Sequence, residues 1–269
     1  HQNMIQLKNN FTWEENGMIF KKNHQIIRKK IFSFLSEIEQ QNNEINKIHT
    51  ILIIIAMEDE ASPTISYLGL KQLQGNKKFP FKIYGGEKNG KRIVLMTSGK
   101  DSTHGVDNVG PQVASSMATI GIHEFDPNVV VNMGTAGGFK ASGAKIGSVY
   151  VGTKAQFHDR RIPIPKFDKY GSGDYNTTTP TSINGMFKSA TISTGSSLDI
   201  TDAEKERLSK QSQQMAVVKE MEAAAIAQVC QWNSTPFVVI KAITDLIDSS
   251  AKTEEEFLKN LKIASKSLQ

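Results

Sequence analysis

Glu60, Glu222 and Asp245 stand at or just beyond the ends of three apolar runs. A carboxylate in such a place can hold or move a proton. The first run, 51–57, leads into Glu58-Asp59-Glu60. Complementing a helix dipole explains two acidic residues in a first turn easily, and a third less so. Val217-Val218-Lys219 leads into Glu220-Met221-Glu222 and then a small-residue stretch beginning Ala223-Ala224-Ala225. Alternation would put Glu220 and Glu222 on one side if the strand continued, dipole complementarity would also account for them, and Met221 alone reads as core. Asp245 closes Lys241-Ala242-Ile243-Thr244-Asp245. Apolar neighbours could keep its carboxyl protonated for general-acid work, and a capping role explains a lone Asp equally well. A fourth junction joins 129–133 to Gly134-Thr135-Ala136-Gly137-Gly138. These glycines let a ligand approach the backbone or simply make a tight turn, and neither a dinucleotide fingerprint nor a Walker pattern is present. Carboxylates converging on one crevice suit glycosidic scission, in which one protonates the leaving group and another activates water.

Such residues need strands to deliver them. The runs 51–57, 92–98, 129–133, 147–153, 190–194, 215–218 and 236–243 are rich in Ile and Val without clean alternation, the pattern of strands buried on both faces. Helical segments are expected at 59–68, 107–121, 201–213, 221–232 and 254–267, with Thr201-Asp202-Ala203-Glu204 as a capping box. The expected fold is a single α/β domain over 49–269, with a central mixed, largely parallel sheet flanked by helices. In open α/β sheets ligands bind beyond the carboxyl ends of strands, where these four junctions lie. Residues 1–48 form a separate extension. Ile27, Ile31, Leu35 and Ile38 predict an amphipathic helix that packs on the domain, and residues 1–3, ahead of Met4, read as a cloning remnant.

Composition narrows the function classes. The 269 residues carry 32 Lys/Arg and 27 Asp/Glu, a net charge of +5. The excess is spread along the chain, so no basic tail points to nucleic acid. The one cysteine, Cys230, cannot form an intramolecular disulfide, which favours a cytoplasmic setting. The longest apolar run falls far short of the ~20 residues that span a bilayer, and no secretory leader is visible. The six histidines are scattered and form no metal-ligand cluster with Cys230.

Taken together, Ala56-Met57-Glu58-Asp59-Glu60, Gly134-Thr135-Ala136-Gly137-Gly138-Phe139, the stretch from Phe157-His158-Asp159 to Pro165, Ser193-Thr194-Gly195-Ser196-Ser197-Leu198-Asp199, Met221-Glu222 and Ile243-Thr244-Asp245 occur in a specific order. That ordered set resembles the 5′-methylthioadenosine/S-adenosylhomocysteine nucleosidases of the nucleoside phosphorylase superfamily, and most closely their plant type. The resemblance covers residue 51 onward. It implies hydrolysis of 5′-methylthioadenosine to adenine and 5-methylthioribose, with no metal or cofactor. Carried over, Asp245 protonates purine N7, Glu60 positions or deprotonates the water, and Glu222 holds the ribose hydroxyls beside the Met221 backbone. Thr135 and Gly137 line the cleft near the reacting carbon. Leu198, Lys219 and Phe157 contact adenine, and Met57 borders the sugar and alkylthio end. A homodimer is implied, with the segment 157–170 crossing to the other subunit and His158 and Arg160 as structural residues there. Lys241, where bacterial members have Arg, fits the plant type. Leu198 stands where bacterial members have an aromatic ring, so aliphatic packing should replace stacking. Superfamily phosphorylases hold phosphate with an Arg where this chain has Asn132, so water is the expected nucleophile. A phosphate-dependent phosphorylase and a non-catalytic storage-type member are the alternatives.

Overall fold

The computed structural model describes residues 49–75, 78–179, 185–250 and 252–268. The predicted helix within 24–47 lies outside them. In chain order the elements are β1 (Thr50–Ile54), α1 (Glu58–Leu68), β2 (Lys71–Leu73), β3 (Lys82–Lys88), β4 (Lys91–Thr97), α2 (Pro111–Phe125), β5 (Val129–Gly138), β6 (Val149–Phe157), α3 (Phe167–Ser172), β7 (Tyr175–Asn176), β8 (Lys188–Thr194), α4 (Asp202–Ser212), β9 (Val217–Glu220), α5 (Ala223–Trp232), β10 (Phe237–Leu246) and α6 (Thr253–Ser267).

The apolar runs form one mixed sheet with helices against it, a single α/β domain. β5 lies between β1 and β10, parallel to both, and β4 pairs with β1 in the same sense. β8 is parallel to β6 and β9. Antiparallel pairing enters through β2, β3 and β7, which the apolar runs do not mark, and where β10 meets β6 and β5 meets β9. Leu52, Ile54, Val130 and Val239 pack with Met117 and Ile226 from α2 and α5 in one core cluster. Ile51, Val129 and Val238 face the other way, toward Ala264 of α6. Each fully buried aliphatic side chain contributes about 1.5–3 kcal/mol, so the two layers together fix which strand ends stand side by side.

Two segments differ from expectation in ways that shape the site. Residues 107–110 are loop, and α2 begins only at Pro111: Gly110 has φ +106°, outside helical space, and Pro fits a first helical position. The glycine-rich stretch 134–138 continues β5 as strand because β10 runs alongside it, from Lys241 opposite Gly134 to Leu246 opposite Gly138. The register shifts between Ile243 and Asp245, a bulge that leaves Thr244 over and sets Asp245 opposite Gly137.

Candidate active site

The carboxyl ends of β1, β5, β9 and β10 open on a cavity of about 590 Å³, within the usual range for small-molecule sites. Met57, Glu60, Thr135, Gly137, Leu198, Lys219, Met221, Glu222 and Asp245 all line it.

Glu60 and its neighbours divide the labour of the first junction. Asp59 is exposed, whereas Glu58 turns outward to the Lys82 ammonium at 2.6 Å. Glu60 turns inward and is buried, and its Oε1 accepts from the Thr135 amide at 2.8 Å and from the Thr135 hydroxyl at 2.5 Å. The other oxygen takes a longer bond, 3.4 Å, from the Met57 amide, which closes a capping box on α1. Thr135 therefore orients a carboxylate.

Asp245 is only 4 % exposed, and burial raises its carboxyl pKa despite the Thr244 hydroxyl donating to Oδ1 at 2.8 Å and the nearby Lys219 charge. A group so placed keeps its proton to higher pH than an ordinary Asp. Gly137 makes this possible, since a Cβ there would stand 2.6 Å from Asp245 Oδ2. The end of β10 is tied to α6, where the Glu256 carboxylate accepts from the Leu246 amide (2.9 Å) and the Asn260 side chain donates to the Thr244 carbonyl (2.9 Å).

Glu220 and Glu222 part company, because β9 ends at Glu220 and alternation no longer applies. Glu222 is buried at the start of α5, where its Oε1 accepts from the Gly110 amide at 3.1 Å. Burial pushes its carboxyl up to about 7; Glu220 and Glu60 push the same way and Lys241 opposes them. Glu220 points instead to Lys241, 2.8 Å away, with both side chains 1 % exposed. It also accepts from the Thr194 hydroxyl and from the amides of Glu222 (3.0 Å) and Ala223 (2.9 Å). Burial alone would raise Glu220, but Lys241 and these donors outweigh it and hold its pKa below the usual carboxylate range. The same carboxylates outweigh burial at Lys241 and hold it protonated. One charge thus pins the β9–α5 junction that carries Met221 and Glu222.

Lys219 is buried, and its ammonium donates to the carbonyls of Ser197 (2.6 Å) and Leu198 (2.9 Å), which holds that loop against the cavity. Burial lowers its pKa, with Asp245 and Glu220 opposing. Leu198 presents a 41 % exposed side chain to the cavity wall. Phe157 is not brought there. Its buried ring takes the Arg160 guanidinium on its face at 4.1 Å and the Tyr175 ring edge-on at 6.3 Å, because β6 pairs it with Thr194 away from the β5–β10 ends. His158 is buried against Ser193, and Arg160 donates to the carbonyls of Gly171 (2.7 Å) and Tyr170 (2.8 Å), both structural contacts. Asn132 is buried too, donating to the Ile54 carbonyl at 3.0 Å.

Glu220 escaped the sequence reading as a site residue, although a lysine inside an apolar strand was a signal that a buried partner must exist. Lys100, Val106, Asp107, Val109 and Phe257 also line the cavity without any signal in spacing.

Comparison with known proteins gives the family. Residues 50–269 match the model of the phosphorylase superfamily, the class to which the chain belongs. It is similar to a 5′-methylthioadenosine nucleosidase of Arabidopsis thaliana, 36% identical over 238 residues, 87% of this chain and 88% of the relative. A 5′-methylthioadenosine/S-adenosylhomocysteine nucleosidase of the same plant is 41% identical over 220 residues, 80% of this chain and 85% of the relative. A solved structure of an Arabidopsis thaliana 5′-methylthioadenosine nucleosidase in apo form superposes with a TM-score of 0.78 at 37% identity, covering 82% of this chain and 91% of that one. Within the superfamily, the chain belongs to the plant-type methylthioadenosine nucleosidase family.

Proposed function

We propose that this cavity hydrolyses the N-glycosidic bond of 5′-methylthioadenosine, releasing adenine and 5-methylthioribose, with Asp245 as the general acid and Glu60 acting on water. The observation that carries the reading is the placing of Asp245, whose carboxyl pKa burial raises, and a hydrogen-bonded Glu60 on one cavity, with Glu222 beside them. Asp245 delivers its proton to the purine as the carbon–nitrogen bond breaks, so adenine departs neutral. The ribose is left oxocarbenium-like, and Glu222 holds its hydroxyls beside Met221. Glu60 takes a proton from the water whose oxygen bonds to the anomeric carbon. Thr135 keeps the Glu60 carboxylate aimed, Gly137 leaves room for Asp245, and Met57 borders the alkylthio end. Leu198, held by Lys219, packs on the adenine. Phe157 supports this wall from behind through β6 and β8, a role different from contact with the base.

The chain acts as a cytoplasmic homodimer in this account. Ile164, Phe167 and Tyr170, each more than half exposed, give the segment 157–170 an apolar face for a second copy. No helix among the described residues is long and apolar enough to cross a membrane. The test of the reaction is adenine release from 5′-methylthioadenosine in phosphate-free buffer enriched in ¹⁸O water. The expected product is methylthioribose carrying ¹⁸O at the anomeric carbon. Strict phosphate dependence would make the enzyme a phosphorylase and overturn the role given to Glu60.

A further inference from the structure

Two side chains of α6 hold the backbone on either side of Asp245. β10 keeps its neighbour on the β6 side as far as Ile243, whose amide donates to the Ser148 carbonyl (3.0 Å) and whose carbonyl accepts from the Gly147 amide (2.8 Å). Beyond it the bulge leaves Thr244 without a register partner on β5. A bulge interrupts the ladder, and its buried polar groups must find partners elsewhere. Here they find α6: the Asn260 side chain donates to the Thr244 carbonyl and the Glu256 carboxylate accepts from the Leu246 amide, each at 2.9 Å.

These two bonds fall on the two peptide groups that meet at Asp245. The Thr244 carbonyl belongs to the peptide that enters its Cα, and the Leu246 amide to the peptide that leaves it. Each peptide is planar, so anchoring one polar atom restrains the whole unit, and anchoring both restrains φ and ψ of the residue between them. The direction of the Asp245 side chain follows. The Thr244 hydroxyl orients the carboxyl locally at 2.8 Å, whereas the α6 bonds set the backbone from which both side chains extend. Glu256 and Asn260 stand four residues apart on one face of α6, and Ala264, a further turn along, seats that face in the core. Asn is a poor residue for a helix interior, and Asn260 is only 9% exposed. Its place there is explained by the carbonyl that it meets. Neither residue is among those lining the cavity, although Phe257 between them is.

We propose that Asn260 and Glu256 are positioning residues for the general acid: by clamping the peptides before and after Asp245, α6 holds its carboxyl where the leaving base receives the proton. The inference rests on the reading of Asp245 as that acid and deepens it.

The experiment measures kcat and KM for methylthioadenosine and for the 5-methylthioriboside of 4-nitrophenol, whose leaving group needs no proton, on the wild type, Asn260→Leu, Glu256→Leu and Glu256→Gln. A misplacement of about 1 Å can cost on the order of 100-fold, so each leucine variant should lower kcat for methylthioadenosine by roughly 10- to 100-fold at unchanged KM, and kcat for the nitrophenyl riboside by less than about threefold. Glu256→Gln keeps an oxygen for the Leu246 amide and should recover most of the loss seen in Glu256→Leu. If Asn260→Leu fails to fold, Glu256→Leu, at a half-buried position, carries the same comparison. Equal losses on the two substrates overturn the clamp, as do wild-type kcat on methylthioadenosine in the leucine variants and a Glu256→Gln protein no better than Glu256→Leu. In each of these cases the wild type still cleaves methylthioadenosine. A wild type that leaves it intact overturns the nucleosidase reading, and the clamp with it.

Discussion

The Glu220–Lys241 pair gives the most quantitative forecast, because its two members are satisfied unequally. Both side chains are 1% exposed. Removing one member of a buried pair costs about 3–5 kcal/mol by leaving an uncompensated charge, whereas replacing both can be close to neutral. In Lys241→Met the Glu220 carboxylate keeps the Thr194 hydroxyl and the amides of Glu222 and Ala223. Its loss should sit near the lower bound, about 3 kcal/mol. In Glu220→Gln the Lys241 ammonium loses its ion-pair partner at 2.8 Å, so the cost should approach about 5 kcal/mol. The double variant should recover at least about 2 kcal/mol relative to Glu220→Gln. Urea unfolding reads this directly: with a slope of about 2–3 kcal/mol per molar, a 3 kcal/mol loss lowers the midpoint by roughly 1–1.5 M. A smaller loss in Glu220→Gln than in Lys241→Met, or a double variant no more stable than the worse single one, would refute the assignment of the pair as the anchor of this junction.

Three further outcomes follow from the same geometry. The Glu222 carboxyl is pushed up to about 7 by burial, with Glu220 and Glu60 adding to the effect and Lys241 opposing it. Between its unfolded value, near 4.5, and 7 the native state binds the extra proton, so this group's contribution to stability is greatest below pH 4.5 and declines as pH rises to 7. Glu222→Gln should remove that decline, on the order of 3 kcal/mol, from the difference between urea midpoints at pH 5 and pH 8; an identical pH dependence in both proteins would contradict the shift. Gly137→Ala sets a Cβ 2.6 Å from Asp245 Oδ2, and displacement of the acid should cut kcat by on the order of 100-fold with the fold intact by circular dichroism; wild-type turnover would show that Asp245 is not held there. Thr201→Ala removes the hydroxyl that accepts from the Glu204 amide. It should cost about 1 kcal/mol, a fall in Tm of roughly 2–4 °C, and leave kcat unchanged.

How much of this was legible in the sequence depended on range. The strands that carry the site announced themselves because burial on both faces demands unbroken runs of Ile and Val, and the Thr201 cap because its partner lies three residues away. β2 and β3 did not, since β2 is an exposed edge strand and β3, beside it, is only partly buried except at Ile83. The helix expected from residue 107 began four residues later because the Gly110 backbone left helical space. Glu60, Glu222 and Asp245 were found as carboxylates at strand ends, yet their distinct surroundings were set by groups far along the chain: Thr135 for Glu60, Gly110 for Glu222, Gly137 for Asp245. The bulge at Thr244, which aims Asp245, has no local signature. Phe157 shows the opposite limit, a residue expected at the site from the family resemblance whose ring packs instead on Arg160 and Tyr175.

The central claim is that Asp245 supplies the proton that lets adenine leave. Its most direct test compares Asp245→Asn with the wild type on two substrates: methylthioadenosine, whose base must be protonated to depart, and the 5-methylthioriboside of 4-nitrophenol, whose leaving group needs no proton. General-acid catalysis is worth about 100- to 10,000-fold, so the variant should lose that much kcat/KM on methylthioadenosine and less than about tenfold on the nitrophenyl riboside. Equal losses on both substrates, or full activity on methylthioadenosine, would contradict the assignment.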